Sequence, residues 1–266
     1  MRKNSSIFII LFLFLLSIIF FSCKKQTTVV YRNTVVDSAR VSITNASPAV
    51  SNLLLYVDNK KISLPDSPFA YGNTTFTTYV NSNNEINPVI KQLPYIGIAA
   101  GYRQLSFAST YPSASFTANE YFQPGANYSI FITDTIAHGQ TQYVVLQDKV
   151  GSSDTTHGQI RFFNLSPDSP PLDLYAFPNA GPNGYKIFSG CAYLPNDYNS
   201  LIAAESFSQI KSGPYYFIAT IAGTSNILLE GGLIIPPQSV ATIYAMGFVS
   251  GVGINTMDVG VILYKP

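Results

Sequence analysis

Cys23 is the residue whose surroundings in the sequence most clearly predict chemistry. Arg2 and Lys3 precede an apolar run at positions 7–21, and Ser22 stands directly before the cysteine. A positive end, a short apolar run and a small residue, in this order, are typical of a signal peptide. Because a membrane-spanning helix needs roughly 20 apolar residues, this run is too short for a stable span. We therefore expect residues 1–22 to be removed and Cys23 to become the first residue.

The junction Phe20-Phe21-Ser22-Cys23 resembles the lipobox of bacterial lipoproteins, in which a small residue precedes an obligatory cysteine. It differs at Phe20, where the lipobox usually has leucine. The resemblance implies lipidation of the Cys23 sulfur through a thioether. Several acyl chains on one cysteine anchor a protein to a membrane more strongly than a single myristoyl group does. The alternative is a plain secreted protein in which Cys23 has no such role.

Residues that commonly serve in catalysis and metal binding are few and scattered. His138 and His157 are the only histidines, both in polar stretches, and no cluster of Cys, His and carboxylate ligands is apparent. The sequence has no Gly-x-Ser-x-Gly or phosphate-binding Gly-x-x-x-x-Gly-Lys motif, and residues 251–253 predict a hairpin turn. Only 14 acidic residues are spread through the chain, although a spatial pair of carboxylates stays open. We expect no enzyme activity, no cofactor and no metal site.

Aromatic residues offer a different chemistry, because their rings can stack on sugars. The chain has 18 Tyr and 18 Phe but no Trp. Core and cross-strand packing explains most such residues in β-proteins. Ligand-binding candidates are therefore the tyrosines in Gly-, Pro- and Asn-rich stretches, which predict loops. These candidates are Tyr111, Tyr121, Tyr185, Tyr193 and Tyr198.

Three short segments are candidates for covalent modification by sugars. Asp37-Ser38-Ala39, Asp134-Thr135-Ile136 and Asp154-Thr155-Thr156 resemble the O-glycosylation acceptor motif of Bacteroidetes. The resemblance implies Ser38, Thr135 and Thr155 as acceptors. Their positions before a strand, in a loop and in a linker would tolerate a bulky sugar.

Charge and cysteine content exclude some classes of function. Without Arg2 and Lys3, the 15 basic residues become 13 against 14 acidic ones, a formal charge of −1. Nucleic-acid binding is not expected, because it requires a positive surface that displaces counterions from phosphates. Cys191 is the only other cysteine, so the mature chain cannot form an intramolecular disulfide.

An internal repeat indicates how the chain is organised. At an offset of 119, residues 41–57 align with residues 160–176, and six of the 17 positions are identical. Short runs of β-branched and aromatic residues alternate with turn residues, a pattern that predicts an all-β fold of two tandem sandwiches. The only predicted helix is short, at residues 200–207. The predicted segments are a signal peptide at 1–22, a lipidated tether at 23–37, a first sandwich at 38–148, a linker at 149–156 and a second sandwich at 157–266.

The alternation of apolar residues also predicts which side chains point into each sandwich. In the first repeat and then the second, these are Val41, Ile43, Leu53, Leu55, Ile160, Phe162, Leu172 and Leu174.

Both repeats resemble the domain of unknown function 4397. The resemblance rests on Asn45-Ala46-Ser47-Pro48, on Gly101-Tyr102, and on the Pro-Gly-x-x-Tyr segment at residues 124–128. The Asn-x-Ser-Pro-Asp-x-Pro motif of the family is complete only at residues 164–170, where it includes Asp168. The residues of this motif favour a structural turn, since Asn and Ser side chains bond nearby backbone groups. The resemblance implies immunoglobulin-like antiparallel sandwiches in envelope lipoproteins of Bacteroidetes, and no known activity.

These features together predict a lipid-anchored, non-enzymatic protein of the cell envelope. The leading hypothesis is a structural or adhesive role in which the partner is another protein. The alternative is glycan binding in association with polysaccharide uptake. Lys24 is not the Asp that signals inner-membrane retention in enteric bacteria, so we expect the outer membrane. We favour exposure at the cell surface, with a periplasmic orientation as the alternative.

Overall fold

The structure is a computed structural model that describes residues 37–47, 50–62, 79–80, 86–87, 95–111, 113–134, 141–196, 198–253 and 256–264. These residues belong to one compact unit, Val35–Pro266. Most of them lie in β-strands, which confirms the predicted all-β sandwich class. Among the described residues, no helix is long and apolar enough to span a membrane.

The first half of the described chain contains two four-stranded sheets. Its strands are β1 (Ser38–Asn45), β2 (Ser51–Val57), β3 (Lys60–Lys61), β4 (Tyr79–Val80), β5 (Ile86–Asn87), β6 (Ile96–Ala99), β7 (Gly101–Tyr111), β8 (Ser113–Phe122), β9 (Asn127–Asp134) and β10 (Thr141–Gln147). One sheet has the order β10-β9-β1-β6 and the other the order β3-β2-β7-β8, while β4 and β5 pair with each other.

The second half also contains two four-stranded sheets. Its strands are β11 (His157–Asn164), β12 (Leu172–Pro178), β13 (Tyr185–Cys191), β14 (Ser208–Lys211), β15 (Gly213–Ile221), β16 (Ile227–Ile235), β17 (Val240–Met246) and β18 (Asp258–Tyr264). The sheet orders are β14-β11-β17-β18 and β13-β12-β15-β16.

The two halves share the same strand order. In each, the first strand lies inside a sheet and pairs in parallel with the next-to-last strand, β1 with β9 and β11 with β17. The other ladders of the four large sheets are antiparallel. An immunoglobulin constant domain divides its strands into sheets of four and three. Each sandwich here has two sheets of four strands, one of which includes a parallel pair.

Each half has its own apolar core between its two sheets. The core of the first half includes Val41 and Leu55, and that of the second includes Ile160 and Leu174. All eight side chains predicted to point inward are buried, so that prediction is confirmed. Alternation along half-buried strands was sufficient to identify them.

A short helix and the segment between the halves lie against the second half. Helix α1 spans Tyr198–Ala204, so it starts two residues earlier and ends three residues earlier than predicted. The residues that follow pair in extended form instead: the Glu205 carbonyl accepts a hydrogen bond from the Lys149 backbone NH at 3.0 Å, and β14 begins at Ser208. In the segment predicted to be a linker, Gly151 NH donates to the Gln159 side chain and the Gln159 amide donates back to the Gly151 carbonyl.

A third apolar cluster joins the two halves. Phe131 of β9 contacts Phe163 of β11 and Tyr244 of β17 edge to face, with ring centroids 5.0 and 5.3 Å apart. Strands β9 and β17 are therefore buried on both faces, since one face fills a sandwich core and the other packs against the other half. We call this cluster and the ion pair beside it the joint.

Arg161 and Asp148 form that ion pair, in which both side chains are fully buried. Arg161 Nη2 lies 2.7 Å from Asp148 Oδ1, and Arg161 also donates to Thr242 Oγ1 and to the Ala204 carbonyl. Asp148 comes from the first half and Arg161 from the second. The pair therefore fixes one sandwich against the other.

The Asp148 carboxylate and the Arg161 guanidinium each have further contacts in the joint. Asp148 accepts further hydrogen bonds from the Ser129 hydroxyl at 2.9 Å and the Tyr95 hydroxyl at 2.8 Å. The Arg161 guanidinium lies 4.4 Å from the centre of the Phe207 ring. A buried charge pair is stable only when its other donors and acceptors also have partners. These contacts provide such partners for Asp148 and Arg161.

Candidate functional site

The outer face of strands β7 and β8 presents a row of uncharged side chains. The two strands pair directly, so residues of the same row lie side by side. The rows are Tyr102 with Tyr121, Gln104 with Asn119, Ser106 with Thr117, and Ala108 with Ser115. We call these eight residues the β7–β8 ladder. Four rows at roughly 6.8 Å per pair of residues give a surface about 20 Å long.

Two exposed tyrosines close one end of the ladder. Tyr102 is 78% exposed and Tyr121 is 50% exposed, and their ring centroids lie 5.0 Å apart at an angle of 57°. Gly101, with φ of +93°, makes the tight turn that places Tyr102 at the start of β7. Tyr102 is not among the ligand-binding candidates predicted from the sequence, because its pairing with Tyr121 appears only once the strand register is known.

The five predicted ligand-binding tyrosines do not come together, and the prediction that they lie in loops is wrong for four of them. Tyr111, Tyr121 and Tyr185 lie in strands β7, β8 and β13, and Tyr198 lies in helix α1. Tyrosine favours a pleated surface, and the strands extend through the turn-rich flanking residues. Tyr185 is 44% exposed but belongs to the other sandwich.

Tyr193 is buried rather than available to a ligand. It is only 8% exposed, and its hydroxyl donates to the Asp134 carbonyl across the joint. Burial raises the pKa of Tyr193. Tyr193 therefore belongs to the packing between the halves.

The predicted modification sites differ in whether the structure describes them and in how exposed they are. Cys23 and Thr135 lie outside the described residues, as does the loop histidine His138, for which no modification is predicted. Ser38 is half-buried at the start of β1, whereas Thr155 is exposed in a turn. Thr155 is therefore the more accessible of the two described acceptors.

Residues 39–175 match the family described as Domain of unknown function (DUF4397), which covers more than half of the 266-residue chain. The chain belongs to the DUF4397 family. No curated protein matches it. A solved structure described as "Alpha-glucan binding by a streptococcal virulence factor" aligns with 78% of this chain and 92% of its own, at 6% identity and a TM-score of 0.22. So low a score says nothing about the function of this chain.

The Asn-x-Ser part of the motif of this DUF4397 protein forms a turn in both halves, while Pro48 lies outside the described residues. The side-chain Oδ1 of Asn164 accepts a hydrogen bond from the Ser166 NH at 2.9 Å, and Oδ1 of Asn45 accepts one from the Ser47 NH at 3.0 Å. Asp168 accepts hydrogen bonds from the backbone NH groups of Val249 and Ser250. Burial alone would raise the pKa of Asp168, but these bonds and one from the Ser250 hydroxyl lower it. The predicted turn by the Asn side chains is confirmed. The serine hydroxyls do not bond nearby backbone groups: that of Ser47 donates to the Asp134 carboxylate, and that of Ser166 has no hydrogen-bond partner among the described residues.

Asp173 is the most completely bonded carboxylate of the second sandwich. It is buried and accepts hydrogen bonds from Lys186 Nζ at 2.6 Å, the Ser189 hydroxyl and the backbone NH groups of Gly190 and Gly223. Burial would raise the pKa of Asp173, but these four donors outweigh it and lower the pKa. A carboxylate that is ionised and fully bonded in this way holds loops together and is poorly suited to proton transfer.

A cavity of about 280 Å³ lies between β11, β13 and helix α1. Its lining includes Arg161, Phe163, Phe188 and Cys191. Asp148 already neutralises the Arg161 charge, and burial raises the pKa of the Cys191 thiol to about 11, which keeps it protonated. The cavity therefore offers neither a free charge nor a reactive thiolate. Within the described residues, no group of three His, Cys, Asp or Glu side chains could hold a metal ion.

Proposed function

We propose that this DUF4397 protein is a non-enzymatic binding protein of the cell envelope, anchored by lipid on Cys23 to the outer membrane. The observation that carries the proposal is the joint. Two sandwiches that share an apolar cluster and a buried ion pair form one rigid support, which suits a structural or adhesive role. The common strand order and the aligned segments support the further proposal that the two sandwiches are repeats of one domain.

The position of the anchor is compatible with this role. Cys23 precedes the first described residue, Asp37, by 14 residues. At roughly 3.3–3.6 Å per residue, such a segment reaches at most about 50 Å. The sandwiches would thus be held within about 50 Å of the membrane surface.

The anchor is tested by replacing Cys23 with alanine. Cys23→Ala is expected to abolish incorporation of labelled palmitate and to move the protein from the membrane fraction to the soluble fraction. The reason is that the Cys23 sulfur is the proposed attachment site of the acyl chains. The measurement is autoradiography of immunoprecipitated protein together with immunoblots of cell fractions.

Cys191→Ala is the matched control, since that thiol is largely buried in the second sandwich. It should retain both the label and the membrane association. Membrane retention of Cys23→Ala equal to that of the unmodified sequence would show that the lipid anchor proposal is wrong.

The orientation is tested on intact cells. We propose that the sandwiches face outward, so an added protease should digest residues 38–266 while a periplasmic control protein survives. Full protection of the chain, combined with digestion after the outer membrane is permeabilised, would place it in the periplasm. That result would rule out adhesion to other cells.

Glycan binding is the second candidate function. The exposed pair Tyr102 and Tyr121 favours it, because two accessible aromatic rings lie side by side on a sheet face, and their cross-strand row contains no charged residue.

A further inference from the structure

We propose that the β7–β8 ladder binds an extended neutral polysaccharide, whose sugar rings stack on Tyr102 and Tyr121 and whose hydroxyl groups bond to Gln104 and Asn119. This inference rests on the proposed binding role and names the ligand class and the site. It does not depend on the lipid anchor, which is tested separately.

The tyrosine pair supplies the stacking surface. Aromatic faces are electron-rich and attract the polarised C–H bonds of an apolar surface such as one side of a pyranose ring. Because the rings are tilted by 57°, Tyr102 and Tyr121 do not form one plane, and each presents its own face. Large side chains of this kind seldom stay exposed without a role when they lie together, and these two share a cross-strand row.

The next row supplies directional contacts. Gln104 and Asn119 are exposed, and neither side-chain amide is hydrogen-bonded to another of the described residues. An amide offers both a carbonyl acceptor and an NH₂ donor, and a sugar hydroxyl can pair with either. Ser106 and Thr117, whose hydroxyl oxygens lie 3.5 Å apart, extend the same pattern one row further.

Charge favours a neutral ligand. All eight side chains of the ladder are uncharged. The nearest charged residues in these strands, Arg103 and Glu120, are already engaged: Arg103 pairs with Asp58 at 3.2 Å, and Glu120 accepts a hydrogen bond from the Tyr143 hydroxyl at 2.8 Å. The eight ladder side chains therefore bring no charge of their own to attract an acidic polysaccharide, and the exposed Lys61 of β3 lies two strands away from Ser106, beyond Tyr56.

Size favours a glycan over a protein partner. Each strand takes up about 4.8 Å of the width of the sheet, so two strands and a length of about 20 Å give an area on the order of 200 Å². A specific protein interface usually covers about 800 Å² on each partner. A single linear chain of sugars needs only a narrow strip of this length.

The proposal is tested with the full chain in detergent on an array of soluble polysaccharides, neutral ones (glucans of different linkage, mannan and xylan) beside acidic ones (alginate and polygalacturonate). We expect binding to at least one neutral polysaccharide that is unchanged when salt is raised to about 0.5 M, since no ionic contact is involved. Tyr102→Ala combined with Tyr121→Ala should weaken binding about tenfold or more.

Tyr102→Phe combined with Tyr121→Phe keeps the rings and should retain most of the binding. Tyr185→Ala removes an exposed tyrosine from the other sandwich and should leave binding unchanged. Circular dichroism confirms that each variant is folded. Binding to no neutral polysaccharide, binding to acidic ones alone, or equal binding by the double alanine variant would each overturn the proposal. Those outcomes would leave the membrane anchor intact, so the two proposals fail separately.

Discussion

Leu55→Asp is expected to unfold the first sandwich and to lower the free energy of unfolding by more than about 5 kcal/mol. Leu55 is fully buried in β2 and pairs with Phe107 of the neighbouring antiparallel strand β7. Removing a buried leucine costs roughly 1.5–3 kcal/mol, and an unpaired carboxylate in an apolar core adds several more. Since most domains are stable by only about 5–15 kcal/mol, little stability would remain.

Leu54→Asp is the matched control for this substitution. Leu54 is the adjacent residue of the same type, but it is half-buried and lies on the opposite face of β2. The aspartate there would meet solvent, so we expect a loss below about 1.5 kcal/mol. Urea unfolding followed by circular dichroism compares the two variants. Similar losses at both positions would show that Leu55 does not point into a core.

Unfolding of the first sandwich should also affect the second. Phe163 and Tyr244 of the second half would lose the contact with Phe131 and become exposed to solvent. We therefore expect one cooperative transition in the unmodified protein rather than two.

The strands and the inward-facing residues could be predicted because they depend on local patterns. Alternation with a period of two identifies Val41, Ile43 and their counterparts, and the aligned segments show that the second half repeats the pattern. The Asn45 and Asn164 turns were also predictable, since their hydrogen bonds join residues only two apart.

The joint could not be predicted, because it depends on contacts between residues far apart in the sequence. Arg161 stands between Ile160 and Phe162, at the alternate positions that normally face solvent. Its partner Asp148 lies 13 residues earlier, directly before the segment whose polar composition indicates a linker. Phe131 and Phe163 likewise occupy outward positions, and nothing local shows that another sheet covers them.

The candidate site was only partly predictable for the same reason. Tyr121 was identified from the sequence, but Tyr102 was not, because the two residues meet through the register of β7 and β8. Tyr193 was misassigned because its turn-rich surroundings indicate an accessible side chain, whereas its side chain is buried and its hydroxyl donates to the Asp134 carbonyl of the other half.

Arg161→Met is expected to destabilise the protein by about 3–5 kcal/mol, since it leaves Asp148 buried without its cation. Methionine is close in length to the arginine stem and keeps much of the packing against Phe207. The loss therefore reports mainly on the missing charge and hydrogen bonds. Because the joint is shielded from solvent, the effect should change little with salt concentration.

Lys149→Met is the matched control, because Lys149 also pairs with an acid, Glu205 at 2.5 Å, but its side chain is half exposed. Exposed pairs contribute at most about 1 kcal/mol, so this variant should remain close to the unmodified protein. Adding Asp148→Leu to Arg161→Met removes the buried, unpaired carboxylate and should recover part of the lost stability. The recovery is partial because the hydroxyls of Ser129 and Tyr95 then lose an acceptor. Urea unfolding at two salt concentrations measures all three variants. If Arg161→Met costs no more than Lys149→Met, the ion pair does not hold the sandwiches together, and the rigidity of the support must come from the apolar cluster alone.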